Sequence, residues 1–421
     1  MSVMNVYFAG IGGVALGPLA EIARDLEYTV SGSDPNEGLM TKRLTETGIT
    51  IAADQSGEFL SAQHQHAPVD WFIYTSAMPE NHPELIRARQ LGIAHIVKRS
   101  EFINFILTEK RLKMIAIAGT HGKTTTTAMF VWAMQQLGIS VSYSIGTTIS
   151  FGPSGKYAPG SQYFIYECDE FDRNFLAFFP KLSIITSIDY DHPDTYPTRA
   201  EYAAAFTQFM SQSSQVIMWS HDQIEELIVP PATWQLQDNE VIDVALVGVH
   251  NRANATLIAK AAEYLELSNQ DSMCEALNSF PGSARRFEKL GDNLYSDYGH
   301  HPAEIAATLQ LARELSNHVV LVYQPHQNVR QYQIRDEYTD CMQLAEQVYW
   351  LPTYLAREDP ALPILSPEEL AVNLVNHEVV TFADLNDALW NHITTARATG
   401  KLVLCMGAGT IDSWLRKQLD N

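Results

Sequence analysis

Apolar residues along this chain fall into short continuous runs, and polar or glycine-rich turns close most of them. VYFAG (residues 6–10) leads through IGGVALG into PLAEIARDL, whose apolar positions recur with helical spacing. YTVSGSD (28–34) and WFIYTSAM (71–78) read as further strands. KMIAIAG (113–119), YFIYE (163–167), LSIITSI (182–188) and QVIMW (215–219) follow, with EYAAAFTQFM and HNRANATLIAKAAEYL as helices between and after them. The last third repeats the alternation in NLYSDYGHHPAEIAATLQLAREL, HVVLVYQPH and LVLCMGAGTIDSWLRKQL. Strands that alternate with helices predict parallel sheets, with ligands at the carboxyl ends of the strands. The expected fold class is α/β, in three consecutive α/β domains spanning residues 1–110, 111–282 and 283–421.

A length of 421 residues is too great for one ordinary core, which agrees with several domains. Lys plus Arg number 28 against 49 Asp plus Glu, a net charge of −21, so no nucleic-acid or anionic-membrane surface is expected. A local basic pocket for an anionic ligand remains compatible with that balance. Cys168, Cys274, Cys341 and Cys405 form no CxxC pair and read as reduced thiols. No basic-then-apolar leader opens the sequence and no apolar run reaches membrane-spanning length, so the expected location is cytoplasmic.

The strongest chemical signal is AGTHGKTTTT (118–127). An apolar strand stops at Gly119, and Thr120, His121, Gly122, Lys123, Thr124 and Thr125 lead into a helix. Backbone N–H groups at such a turn form an anion nest that the helix dipole strengthens. Lys123 would supply charge to phosphates, and the Thr124 hydroxyl can ligate Mg²⁺. The loop is shorter than GxxxxGK[ST], because Ile117 stands where the first glycine would be. A plain strand-to-helix turn with an incidental lysine is the bland alternative. GIGGVALG places Gly10, Gly12 and Ala15 at the spacing of a dinucleotide turn, with Asp34 where a ribose-binding acid would sit. NAD, another phosphate ligand or a purely structural turn all fit it. YECDEFD ends a strand in acids, of which only one of Glu167 and Asp169 is expected to line a site. His192 follows the next strand, so Glu167 and His192 become candidate metal ligands beside the phosphate loop. Arg285 and Arg286 sit at a domain joint, Asp297, His300 and His301 at one strand end, and His326 and Arg330 at another. No HExxH pair and no GxSxG elbow occurs.

Taken in order, GIGG (10–13), SGSD (31–34), TSA (75–77), AGTHGKTTTT, ECDEFD, DHPDTY (191–196), HNRANA (250–255), FPGSARRFE (280–288), DYGHHPAEI (297–305), YQPH (323–326) and GAGTI (407–411) resemble the Mur ligase family, over essentially the whole chain. The resemblance implies a Rossmann-like N-terminal domain, a P-loop ATPase-like central domain and a Rossmann-like C-terminal domain. It implies an ATP- and Mg²⁺-dependent enzyme that joins L-alanine to the carboxylate of UDP-N-acetylmuramate through an acyl phosphate, for peptidoglycan precursor synthesis. By position, Gly12, Asp34 and Ser76 match the uridine diphosphate site, and Gly119 to Thr125 match the ATP loop. Thr124, Glu167 and His192 match magnesium positions. Asn251, Arg286 and Asp297 match nucleotide contacts. Tyr298, His300, His326 and Arg330 match the region that receives the amino acid. Lys123, Glu167, His192 and His300 are the implied catalytic set.

The chain departs from the family pattern in three places. Gln327 replaces a positive residue after PH, Ser296 replaces a second Asp, and the stretch between Trp219 and Gly248 is short. No Lys lies between Lys181 and Lys260 to serve as a carbamylated magnesium ligand. The alternatives are a ligase that recycles murein tripeptide onto the same sugar nucleotide, an inactive nucleotide-binding regulator, and a nicotinamide dehydrogenase using GIGGVALG. The last leaves the phosphate loop unexplained.

Overall fold

A computed structural model describes residues 3–75, 78–192, 195–221, 224–356 and 358–420. The chain divides into two compact units, Met1–Val244 with Asn254–Phe280, and Ala245–Ala253 with Pro281–Asn421.

The first unit holds two sheets. Five parallel strands line up in the order Thr50–Ala52, Thr29–Ser33, Asn5–Ala9, Trp71–Tyr74, His95–Lys98. Asn5–Ala9 shows why its sequence is continuously apolar: Val6 and Phe8 enter one hydrophobic cluster while Tyr7 and Ala9 enter another on the opposite face. Seven strands form the other sheet, in the order Thr233–Leu236, Val216–Trp219, Leu182–Ile185, Lys113–Ala118, Tyr163–Glu167, Ser142–Ser144, Gly155–Lys156. Only the last runs antiparallel to its neighbour. Lys113–Ala118 occupies the middle, so the turn after it has strand ends on both sides.

The second unit carries six strands, ordered Glu288–Gly291, Leu294–Asp297, Leu402–Met406, Val319–Tyr323, Gln347–Trp350, Val380–Phe382, parallel except for the first. Leu402, Leu404 and Met406 pack to one side of this sheet, and Val403 and Cys405 to the other. The segment Ala245–Ala253 is anchored to this unit through Arg252, whose two guanidinium nitrogens each reach Glu314 at 2.9 Å. The amide of Gly248 donates to the same carboxylate at 3.0 Å. The expected α/β architecture with parallel-rich sheets is therefore present.

Element lengths differ locally from the apolar runs. Trp71–Tyr74 and Leu182–Ile185 end earlier than their runs, and Thr186 and Ser187 instead bond to the turn at Thr120 and His121. The first helix, Gly17–Asp25, follows the turn over residues 10–16 and takes in the PLAEIARDL segment up to Asp25. All four cysteines are free. Among the described residues, no helix is long and apolar enough to cross a membrane.

Helix Gly17–Asp25 also packs on the edge of the seven-stranded sheet. Buried Glu21 accepts the amide of Gly155 at 2.7 Å and the Nε of Arg43 at 2.9 Å. A Cβ on Gly155 would lie 1.8 Å from the Pro18 carbonyl oxygen. Gly155→Ala is therefore expected to destabilise this unit by about 1–3 kcal/mol, the usual cost of overpacking. The measurement is the urea midpoint of unfolding, and an unchanged midpoint would show that this contact does not hold the two sheets together.

Candidate functional site

The turn Gly119 to Gly122, the expected phosphate loop, is short and fastened on both sides. Gly119 has φ +133°, and a Cβ there would meet the Thr186 hydroxyl at 2.4 Å and the Ser187 carbonyl at 2.8 Å. The Thr120 amide donates to Ser187 O at 3.0 Å and the His121 amide to Ser187 Oγ at 2.9 Å. The Thr186 hydroxyl donates to the His121 carbonyl. Thr120 Oγ1 lies 2.7 Å from the Asp189 carbonyl and 2.7 Å from the Tyr202 hydroxyl, and it accepts the Asp189 amide at 2.8 Å. These bonds fix the backbone so that helix Lys123–Gln136 starts with its first-turn amides, including those of Lys123, Thr124 and Thr125, free of intrahelical partners.

Two carboxylates divide the polar work at the helix start. Glu167 ends its strand, accepts the Thr124 hydroxyl at 2.7 Å on Oε1 and accepts the Gly146 amide at 2.7 Å on Oε2. Glu170 is 1% exposed and takes Lys123 Nζ at 2.9 and 3.2 Å on its two oxygens. His192 Nε2 lies 3.6 Å from Glu170 and 3.8 Å from Asp191. Burial alone would raise the Glu170 carboxyl, but Lys123 and His192 bring it below the usual range. The hydroxyl and carboxylate of Thr124 and Glu167 are hard oxygen donors already side by side, a set that fits Mg²⁺. His192, the third expected ligand, is placed against Glu170. Asp169 pairs with Arg99.

The sequence pattern did not single out Glu170. Its sole signal is an acid just beyond the strand end in ECDEFD, in a loop where Asp172 and Arg173 both adopt left-handed backbone, φ 54° and 55°.

At the other sheet of this unit, the Gly12 amide donates to Asp34 Oδ2 at 2.9 Å, and the Gly10 and Ile11 amides donate to the Ser33 carbonyl at 2.8 and 3.0 Å. Asp34 thus braces the glycine turn, and its other oxygen accepts the Asn36 amide at 3.0 Å. Beneath it lies a buried triad that the sequence did not reveal. Glu84, fully buried, accepts Tyr7 Oη–H at 2.6 Å and the Ser33 hydroxyl at 2.8 Å. Ser76 lies outside the described residues.

The second unit gathers most of the remaining candidates at the carboxyl ends of its strands. Asp297 is buried, and its oxygens accept the Phe287 and Gly299 amides, each at 2.7 Å. Burial raises its carboxyl, while Arg286 and the two amides oppose that rise. The Tyr298 ring has the Arg285 and Arg286 guanidinium carbons 4.5 and 5.3 Å from its centroid. Arg330 contacts His300 Nε2; with a guanidinium as donor, Nε2 accepts and Nδ1 is left to donate to the Tyr298 carbonyl at 3.2 Å. The His300 and His326 rings lie 5.4 Å apart, and His326 stacks on Tyr354 at 5.7 Å. Gln327, with φ 61°, donates its amide to the Tyr354 carbonyl at 2.8 Å. Asn251 sits on the Ala245–Ala253 segment and donates to the Val247 carbonyl at 2.8 Å.

Three family models match consecutive parts of the chain: Mur ligase family, catalytic domain, over residues 5–111; Mur ligase middle domain over 117–232; and Mur ligase, glutamate ligase domain, over 285–409. A UDP-N-acetylmuramate–L-alanine ligase of Sorangium cellulosum is 30% identical, over 98% of this chain and 95% of that protein. The chain belongs to the Mur ligase family. It is thus an ATP-dependent amide-forming ligase. A second relative of the same name, from Carboxydothermus hydrogenoformans, is also 30% identical, over 97% of this chain and 95% of that one. Among solved structures, the UDP-N-acetylmuramate–alanine ligase of Thermotoga maritima superposes with a TM-score of 0.79 at 25% identity, covering 99% of this chain and 98% of that one. A murein peptide ligase from Psychrobacter arcticus shares the fold, with a TM-score of 0.66 at 24% identity and 99% and 98% coverage.

In this Mur ligase the residue next to Asn251 titrates unusually. Burial drives the His250 imidazole down from 6.5 to about 4, with Arg252 adding to the fall and Glu314 opposing it. The folded chain keeps His250 neutral where the unfolded chain would protonate it. Its contribution to stability is therefore complete above pH 6.5 and is lost as the pH falls from 6.5 to about 4. His250→Gln is expected to flatten this part of the stability profile, by up to about 1.4 kcal/mol per pH unit. Urea unfolding of both proteins across that range is the check, and parallel profiles would refute it.

Proposed function

We propose that this ligase joins L-alanine to the carboxylate of UDP-N-acetylmuramate at the expense of ATP, in the synthesis of peptidoglycan precursors. The observation that carries the reading is the fastened phosphate loop, with Lys123 and Thr124 opening its helix and an acid on each. It is supported by relatives of that name that align over nearly the full length.

A carboxylate is a poor electrophile, and an oxide is a poor leaving group. A sugar-borne carboxylate oxygen therefore attacks the γ-phosphorus, the bond to the β–γ bridging oxygen breaks, and ADP leaves. The amine, in its neutral form, then attacks the acyl carbon, the bond from that carbon to the phosphate oxygen breaks, inorganic phosphate departs, and the nitrogen passes its extra proton to a nearby base or water. Lys123 and the first-turn amides of its helix stabilise the charge that gathers on the transferred phosphoryl group. Gly119 to Thr125 form the ATP-binding loop. Thr124 and Glu167, with His192 as the third donor, would hold a magnesium ion, which when bound offsets phosphate charge. Gly12, Asp34 and Ser76 belong to the uridine diphosphate site. Asn251, Arg286 and Asp297 are assigned to the nucleotide, and Asp297 is held ready by its two backbone donors. Tyr298, His300, His326 and Arg330 receive the amino acid: Arg330 is the cation for its carboxylate, His300 contacts that cation, and the His326 ring lies 5.4 Å from that of His300.

Gln327 supports a second reading, in which a murein tripeptide is the amine. It places a neutral side chain beside His326, where the family pattern carries a cation.

Phosphate release by the purified chain with ATP, Mg²⁺ and UDP-N-acetylmuramate should depend on L-alanine. Dependence on the tripeptide instead would select the second reading, and release with neither would refute both. Lys123→Ala should abolish phosphate release and leave uridine-nucleotide binding, followed by calorimetry, nearly intact. Equal loss of both would contradict separate sites for the two nucleotides.

A further inference from the structure

We infer that Glu170 is the resting counter-ion of Lys123, and that phosphate oxygens of an incoming nucleotide must displace it. Glu170 thereby sets how tightly the loop holds a polyphosphate. The inference rests on the reading of residues 119–125 as the ATP loop.

An ammonium has three protons to donate. Lys123 Nζ spends them on the Gly119 carbonyl at 2.5 Å, the Thr120 carbonyl at 3.0 Å and Glu170 at 2.9 Å. The lysine is turned back onto its own loop, with none of its protons left for a phosphate. Carbonyls at the loop are part of its backbone course and stay. The carboxylate is the partner that a phosphate oxygen can replace in kind, charge for charge.

Glu170 is built to hold this position. It is 1% exposed, the Tyr196 hydroxyl donates to its carbonyl at 2.5 Å, and the Arg173 amide donates to the same carbonyl at 3.0 Å. Its role is separate from that of Glu167, whose two oxygens are taken up by Thr124 and Gly146. A fixed negative charge at the lysine opposes an incoming polyanion. Removing that charge while keeping the shape and an acceptor oxygen should therefore strengthen phosphate binding. A residue that merely supported the loop would weaken it when changed.

The test is calorimetric titration of the full-length chain with ATP, ADP and adenosine, for wild type, Glu170→Gln, Glu170→Asp and Lys123→Ala. Glu170→Gln is expected to lower the ATP Kd about tenfold, equivalent to one decade in the binding constant. ADP should gain less, and adenosine, which brings no phosphate, should not change. Glu170→Asp keeps the charge and should stay near wild type. If Glu170→Gln binds ATP no better than wild type while Lys123→Ala loses binding, the counter-ion role is overturned and the ATP loop stands. Should Lys123→Ala bind ATP as wild type does, the loop assignment itself fails and the inference falls with it.

Discussion

A turn that presents free backbone N–H groups has to be held open by bonds it does not make to itself. The connection between Lys113–Ala118 and Lys123–Gln136 meets this constraint by borrowing partners from neighbouring strand ends. Thr186, Ser187 and Asp189 follow one adjacent strand, and Glu167 ends the other. Only a strand in the middle of a sheet has such partners on both sides. The central placement of the loop and its short length are therefore one requirement: a longer loop could brace itself, and an edge strand could brace only half of this one. Rigid donors that need no reorganisation when charge appears are what a phosphoryl-transfer site requires.

Electrostatics impose the next constraint. A chain of net charge −21 has to gather several anions. At physiological salt, charges beyond about 8 Å are largely screened, so the overall acidity matters less than what lies within the site. Near the loop each acid is bound to a particular partner: Glu167 to Thr124 and Gly146, Glu170 to Lys123, Asp169 to Arg99. In the second unit Arg285, Arg286 and Arg330 stand among aromatic and imidazole rings that tolerate a cation's approach. Glu170 and Asp169 are thus neutralised by cations, while Glu167 is held by two neutral donors and keeps its charge for the proposed metal ion.

How legible all this was in the sequence depended on the range of the interaction. Both faces of Asn5–Ala9 and Leu402–Met406 are buried, so these strands read as unbroken apolar runs. The strand–turn–helix that carries Gly119 to Thr124 was legible because its residues are contiguous. Glu170 was not, because it meets Lys123 across 47 positions and from an irregular loop. Glu84 was hidden for the opposite reason: it lies in the first turn of helix Pro83–Gln90, where an acid is ordinary helix chemistry, and only the fold brings Tyr7 and Ser33 onto it. Nor could periodicity show that helix Val249–Tyr264 begins among the residues of one unit and continues in the other.

The same geometry accounts for one departure from the family pattern. Ser296, where a second acid is usual, is fully buried and donates to Asp412 at 2.7 Å. Asp412 in turn accepts Arg416 Nε at 3.0 Å. An aspartate at 296 would set two carboxylates within hydrogen-bond distance at a largely buried position, with no donor between them and like charges opposed. A hydroxyl supplies the donor that Asp412 requires at no charge. Successive side chains of a strand point to opposite faces, so this substitution does not reach Asp297, whose bonds to Phe287 and Gly299 are made on the other side. The exchange at 296 is thus compensated from helix Ile411–Leu419, and the strand end that carries Asp297 and Tyr298 keeps its form.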